Sequence, residues 1–214
     1  MGLLTALTFV AAVIGATFGL GKLFKSAPKR LLVLGMPQSG KTTLLKILRN
    51  EANSGEYVAT NTTIMIEECK IKFKDSEYTL GKTMDIPGDY YQQLGALEKD
   101  VKEFFKEENG LILYIINCND LNSEKLVDYS KDILTKAIRM DFEKAKVAII
   151  YSHPDEAKLG ENCLNKIHKE LSDKLKEAEY EKTAEKFFNT KHYMINLVGK
   201  DAKDRLEQVF KDSK

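Results

Sequence analysis

The chain has 214 residues, 43% of them hydrophobic, enough for one medium-sized core and a small additional segment. Its 33 Lys and Arg against 32 Asp and Glu leave a formal charge of +1, which excludes a general nucleic-acid binder with a marked basic excess. Cys69, Cys118 and Cys163 form no CxxC pair, so neither a disulfide framework nor a zinc site is signalled.

Leu3 to Gly21 contain no charged side chain. As a helix, these roughly 19 residues span about 28 Å, close to the hydrocarbon thickness of a bilayer. Only Thr5, Thr8 and Thr17 are polar, and they form no polar face of the kind a soluble helix shows. A cleaved signal peptide needs a basic stretch before the apolar run, and only the α-amino group is available here. Lys22, Lys25, Lys29 and Arg30 follow instead, which by the positive-inside rule puts the following domain in the cytoplasm. The division expected is a membrane-anchor helix over residues 1–24, a basic linker over 25–29, and a P-loop domain over 30–214. Thr5, Thr8, Ala12, Gly15 and Gly19 make a small face suited to a helix–helix contact in the membrane. Met1-Gly2 carries little myristoylation signal, because Ala6 stands where Ser or Thr is required.

From Arg30 onward, strand-like and helix-like runs alternate. Arg30 to Leu34 is a short apolar strand. Lys41 to Glu51 is helical, with Leu44, Leu45 and Leu48 on one side. Thr63 to Phe73 and Tyr78 to Met84 read as strands joined by a turn over Lys74 to Glu77. Leu111 to Asn117 and Val147 to Tyr151 are near-continuous apolar runs, as expected of strands buried on both faces. Glu124 to Met140 and Leu164 to Ala178 are amphipathic helices, and the charged stretch Lys166 to Lys186 reads as a solvated helical face. Tyr193 to Leu197 is the last strand and Ala202 to Phe210 the last helix. Such alternation predicts an α/β fold with a mostly parallel sheet and helices on both faces.

Gly35-Met36-Pro37-Gln38-Ser39-Gly40-Lys41-Thr42 fits G-x-x-x-x-G-K-[ST] at every fixed position. The loop must wrap around phosphates, so Gly35 and Gly40 remove side chains where backbone turns or approaches closely. Main-chain N–H groups of Pro37's neighbours, Gln38, Ser39 and Gly40, and of the helix start through Thr43, then face the β-phosphate. Lys41 can reach the β- and γ-phosphates, and the Thr42 hydroxyl can ligate magnesium. Asp85-Ile86-Pro87-Gly88 ends a strand with D-x-x-G, where Asp85 can hold magnesium through water and Gly88 lets a main-chain N–H approach the γ-phosphate.

This order of P-loop, threonine-bearing loop, hairpin and D-x-P-G resembles the small GTPases. Within them it is similar to the Arf-like branch and to the beta subunit of the signal-recognition-particle receptor, which also begins with a membrane span. The resemblance covers about residues 30–214 and implies a P-loop NTPase with a six-stranded sheet, GTP or GDP with Mg2+, and nucleotide-dependent binding of a protein effector or activating protein. It also implies a threonine before the second strand that senses γ-phosphate and magnesium. Thr63 is the choice here, with Thr60 and Thr62 as alternatives.

Two positions depart from that pattern. The base-reading [N/T]-K-x-D becomes Ser152-His153-Pro154-Asp155, in which only the acid survives. Asp155 can accept hydrogen bonds from guanine N1 and N2, which adenine cannot match, and His153 can lie over the base or simply form a His-Pro turn. Asp89 stands where the water-orienting glutamine belongs. At about 5 Å and an effective dielectric of about 20, a carboxylate repels each γ-phosphate charge by about 3 kcal/mol. The expectation is a slow GTPase switch or receptor subunit with Asp89 as its catalytic-position residue. A non-hydrolysing nucleotide-dependent docking module is the alternative, and a P-loop ATPase or kinase a third. His168 and His192 have no acid or nucleophile at a telling spacing and read as surface or structural residues.

Overall fold

The computed structural model describes residues 30–51, 64–66, 69–73, 77–80, 82–85, 110–139, 145–177 and 181–213. The expected membrane helix and linker, the candidates Thr60, Thr62 and Thr63, the turn at 74–76, and Gly88 and Asp89 lie outside the described residues. Among the described residues, no helix is long and apolar enough to cross a membrane.

Strand β1 (Arg30–Gly35) leads into helix α1 (Lys41–Leu48). Four short strands follow: β2 (Ile64–Ile66), β3 (Cys69–Lys72), β4 (Glu77–Leu80) and β5 (Lys82–Asp85). Then come β6 (Gly110–Asn117), α2 (Glu124–Arg139), β7 (Ala145–Ser152), α3 (Leu164–Glu177), α4 (Glu181–Phe188), β8 (Lys191–Met194) and α5 (Ala202–Asp212). The main sheet has the order β2-β5-β1-β6-β7-β8, and β3 and β4 form a separate two-stranded sheet. All pairings in the main sheet are parallel except β2 with β5. That antiparallel edge comes from the hairpin read in the sequence, whose two long strands are described as the segments β2 and β3, and β4 and β5.

The apolar runs bury both faces because side chains alternate along a strand. Leu32, Leu34, Ile112, Tyr114, Ile116, Ile149 and Tyr151 point to one side, against Leu126 and Tyr129 of α2, Ile167, Leu171 and Leu175 of α3, and Ala184 and Phe187 of α4. Leu31, Val33, Leu111, Leu113, Ile115, Ala148 and Ile150 point to the other, against Leu44, Leu45 and Leu48 of α1 and Leu206, Val209 and Phe210 of α5. Each buried Leu or Ile contributes about 1.5–3 kcal/mol. Lys203 Nζ donates to Asn50 Oδ1, tying α5 to the exit of α1.

Two expectations need correction. The charged stretch to Lys186 is two helices: Ala184 and Phe187, three residues apart, turn α4 into the core beside α3. The last strand is Lys191–Met194, not Tyr193 to Leu197. Its ladder follows β7, with Met194 opposite Tyr151, and Ile195 N makes the final bond to Tyr151 O. Asn196 Oδ1 then accepts from Val198 N and turns the chain, so the apolar Ile195 and Leu197 are core residues of a turn.

His168 is structural. Its Nε2 faces the carbonyls of Phe187 and Phe188 at 3.0 and 3.2 Å, so Nε2 carries the hydrogen. Nδ1 then accepts from the Tyr151 hydroxyl at 2.9 Å. Burial, and next the stacked His192 ring 3.7 Å away, push its pKa down to about 4.

Candidate functional site

In a parallel sheet, loops that leave the carboxyl ends of the strands gather at one edge, where ligands bind. Four such loops meet here, after β1, β6, β7 and β8. Asp85 ends β5 at the same edge, in register with Val33 and Ile64.

The loop after β1 is wound tightly. Ser39 N donates to Met36 O at 3.3 Å, and Gln38 adopts a left-handed φ of 62°. Gly40 caps α1 at φ 96°, a conformation that suits glycine alone. A Cβ at Gly40 would lie 2.7 Å from Leu197 Cδ1 and 3.4 Å from His153 Cε1. One at Gly35 would lie 2.4 Å from Ser39 Oγ and 2.5 Å from Ile115 O. The Ser39 side chain is fully buried, and its hydroxyl has no hydrogen-bond partner among the described residues. Lys41 is 6% exposed and turns back over the loop, its ammonium donating to Gly35 O at 2.8 Å and Met36 O at 2.9 Å. Thr42 and Thr43 follow in the first turn of α1, both half-buried, while Pro37 and Gln38 are exposed at the rim. Two bare glycines, a helix start and a charged amine form a cradle matched to phosphate groups.

The other three loops brace this cradle. Asn117, at the end of β6, donates through Nδ2 to Gln38 O at 3.1 Å and accepts from Asn119 N. Ser152, at the end of β7, donates to Ser39 O at 2.7 Å. Asn119 Nδ2 donates to Glu156 Oε2, joining the β6 and β7 loops. His153 stands in a left-handed conformation, φ 55°, and Asp155 is exposed two residues on. Asp120 is raised by burial and drawn back by the neighbouring His153. Burial first, and the Asp155 charge second, push the Cys118 thiol up to about 12, so Cys118 is an inert filler beneath the β7 loop.

The structure thus brings Gly35, Gln38, Ser39, Gly40, Lys41 and His153 together, with Thr42 and Thr43 following in the first turn of α1 and Asp155 in the β7 loop. Asn117, Ser152 and Leu197 belong to the same assembly and were missed in the sequence. For Leu197 a signal existed, since the chain over Asn196 to Gly199 follows the last strand at the same sheet edge.

The Gtr1/RagA G protein conserved region matches residues 30–195. Among solved structures, the fold is similar to the signal recognition particle receptor SRb-GTP/SRX complex from Chaetomium thermophilum, at 12% identity and a TM-score of 0.64, covering 85% of this chain and 96% of that one. It is similar to the mammalian signal recognition particle receptor at 14% identity and a TM-score of 0.63, covering 85% and 98%. Roco2 RocCORdC of Methanosarcina barkeri bound to GDP matches at 20% identity and a TM-score of 0.52, covering 89% and 52%.

Proposed function

The chain belongs to the Gtr1/RagA G-protein family of GTP-binding small GTPases, and from that premise we propose that it is a slow GTPase switch, or a receptor subunit, that binds protein partners according to its bound nucleotide. The observation that carries this reading is the joining of two loops: Ser152, which opens the base-reading motif, is hydrogen-bonded to Ser39 of the phosphate loop. A base held by one loop and phosphates held by the other would be read as a single ligand. Lys41 and the N–H groups of Gly40 to Thr43 would hold the phosphates, and Asp155 the guanine edge. Mg2+ would be held by Thr42, Thr63 and Asp85, and Gly88 would approach the γ-phosphate. The metal would draw charge from the phosphate oxygens.

Asp155→Asn tests the base assignment. The amide offers guanine one donor where two acceptors are needed, so the preference for GTP over ATP should fall at least about tenfold, the scale of one mispaired polar contact. Competition of both nucleotides against fluorescent GDP measures it. Equal binding of GTP and ATP by the unaltered protein would end the guanine reading.

A non-hydrolysing docking module is the second reading, and Asp89 is what favours it. An ionised carboxylate only accepts hydrogen bonds and opposes the triphosphate's charge. Relief of about 1.4 kcal/mol of repulsion in Asp89→Gln corresponds to about a tenfold faster single turnover. Asp89→Ala should recover only part of that gain. Loss of turnover in both variants would make Asp89 a working water-positioning residue and replace the slow-switch reading.

Residues 1–24 would anchor the domain on the cytoplasmic side of a membrane, a reading supported by their uncharged run and basic flank. The full chain should stay in the membrane pellet after alkaline carbonate, and release into the supernatant would count against a span.

A further inference from the structure

Ser152 Oγ has three neighbours. Ser39 O lies 2.7 Å away, Ile116 O 3.2 Å, and His153 Nδ1 2.9 Å. Both carbonyls can only accept, and the hydroxyl carries a single hydrogen. That hydrogen is committed to the carbonyl side, the shorter contact being Ser39 O. Only lone pairs remain on Oγ for His153, so Nδ1 must bear a hydrogen and donate it. With Nε2–H instead, the hydroxyl would have to turn toward the ring and leave two carbonyl oxygens facing its lone pairs. An isolated histidine prefers Nε2–H, so the surroundings set the tautomer here. The ring also lies beside Gly40, where an added Cβ would come within 3.4 Å of its Cε1. The left-handed backbone at His153 is uncommon for a residue other than glycine and carries a cost that its surroundings must offset.

We propose that His153 is a positioning residue: the donor chain His153 Nδ1–H to Ser152 Oγ–H to Ser39 O fixes the main chain of the phosphate loop from the base side. The resembled motif has lysine at this position, whose donors sit at the end of a long stem and not at the place of Nδ1. The proposal rests on the nucleotide-site reading above for its consequence, slower nucleotide release, but its geometry is independent of it.

Three substitutions separate donor from backbone. His153→Asn puts an amide N–H near the place of Nδ1 and tolerates the left-handed conformation. His153→Gln carries its amide out to the place of Nε2. His153→Gly relaxes the backbone and offers no donor. Release of fluorescent GDP should be within about twofold of the unaltered protein for Asn, and about fivefold faster for Gln and Gly, the scale of one hydrogen bond. The Gly40 amide shares its peptide group with Ser39 O, so its 15N resonance should shift in the Gln and Gly variants and hold in Asn. Long-range 1H–15N spectra of the nucleotide-free protein should give His153 as Nδ1–H. An Nε2–H pattern overturns the proposal. So does GDP release from the Gly variant as slow as from Asn, or a Gln variant matching Asn. If the unaltered protein binds no GDP, the nucleotide reading fails, and the tautomer and the Gly40 resonance still decide the donor chain.

Discussion

Lys41→Ala is expected to weaken GDP and GTP binding by about a thousandfold while leaving the domain folded. Lys41 is 6% exposed, and its ammonium is held by two carbonyl oxygens of the loop that it closes, at 2.8 and 2.9 Å. A buried charge is tolerated only when it is paired or hydrogen-bonded, and neutral carbonyls are weaker partners than phosphate oxygens. Charge-assisted hydrogen bonds contribute about 1.5–3 kcal/mol each, so two phosphate contacts amount to about 4 kcal/mol, or about three powers of ten in affinity. Stability should change little, because the loss of this donor to Gly35 O and Met36 O is offset by no longer burying a charge. Isothermal titration with GDP, beside a thermal melt, checks both halves. Unchanged affinity would remove the phosphate-site assignment, and a large fall in melting temperature would make Lys41 a structural residue.

The parts legible in the sequence were those with a local signal. LILYIIN and VAIIY announce doubly buried strands by composition alone, and the fixed spacing of Gly35, Gly40, Lys41 and Thr42 marks a phosphate loop without reference to distant residues. The braces were not legible. Asn117 reaches Gln38 across 79 positions and Ser152 reaches Ser39 across 113, and neither serine nor asparagine at a strand end declares its acceptor. Ser152 therefore read as a degraded motif, although its hydroxyl performs a definite task. Helix α4 was hidden by charge: in EKTAEKFF the apolar residues shown buried are Ala184 and Phe187, too few for the helical period to stand out. The last strand was drawn too far toward the C-terminus, because Ile195 and Leu197 are as apolar as strand residues while Asn196 between them turns the chain.

Among the described glycines, Gly35→Ala should be the most damaging methyl addition, costing both fold and ligand. The new Cβ would meet two atoms. Ser39 Oγ, at 2.4 Å, belongs to a side chain that can rotate, although it is fully buried. Ile115 O, at 2.5 Å, cannot move in that way. It belongs to β6, and Ile115 is the register partner of Gly35 in the parallel ladder. Relief therefore requires β1 and β6 to part at the centre of the sheet, where Leu34 and Ile115 are already packed against opposite helix layers. At Gly40 the corresponding Cβ would crowd the tip of Leu197, a flexible end, and meet His153 Cε1 at ordinary contact distance, so the strain there is chiefly in the backbone. Overpacking of a tight core costs about 1–3 kcal/mol and occasionally more, and at the upper end this predicts a melting temperature lower by about 10 °C for a domain of this size. GDP binding should be lost with it, because a loop pushed off β6 no longer presents its N–H groups toward one point. Lys41→Ala removes affinity alone, whereas Gly35→Ala removes affinity and stability together, so the pair distinguishes the chemistry of the loop from its shape. A Gly35→Ala protein that melted like the unaltered one would mean that β1 and β6 are not in this register at the start of the loop.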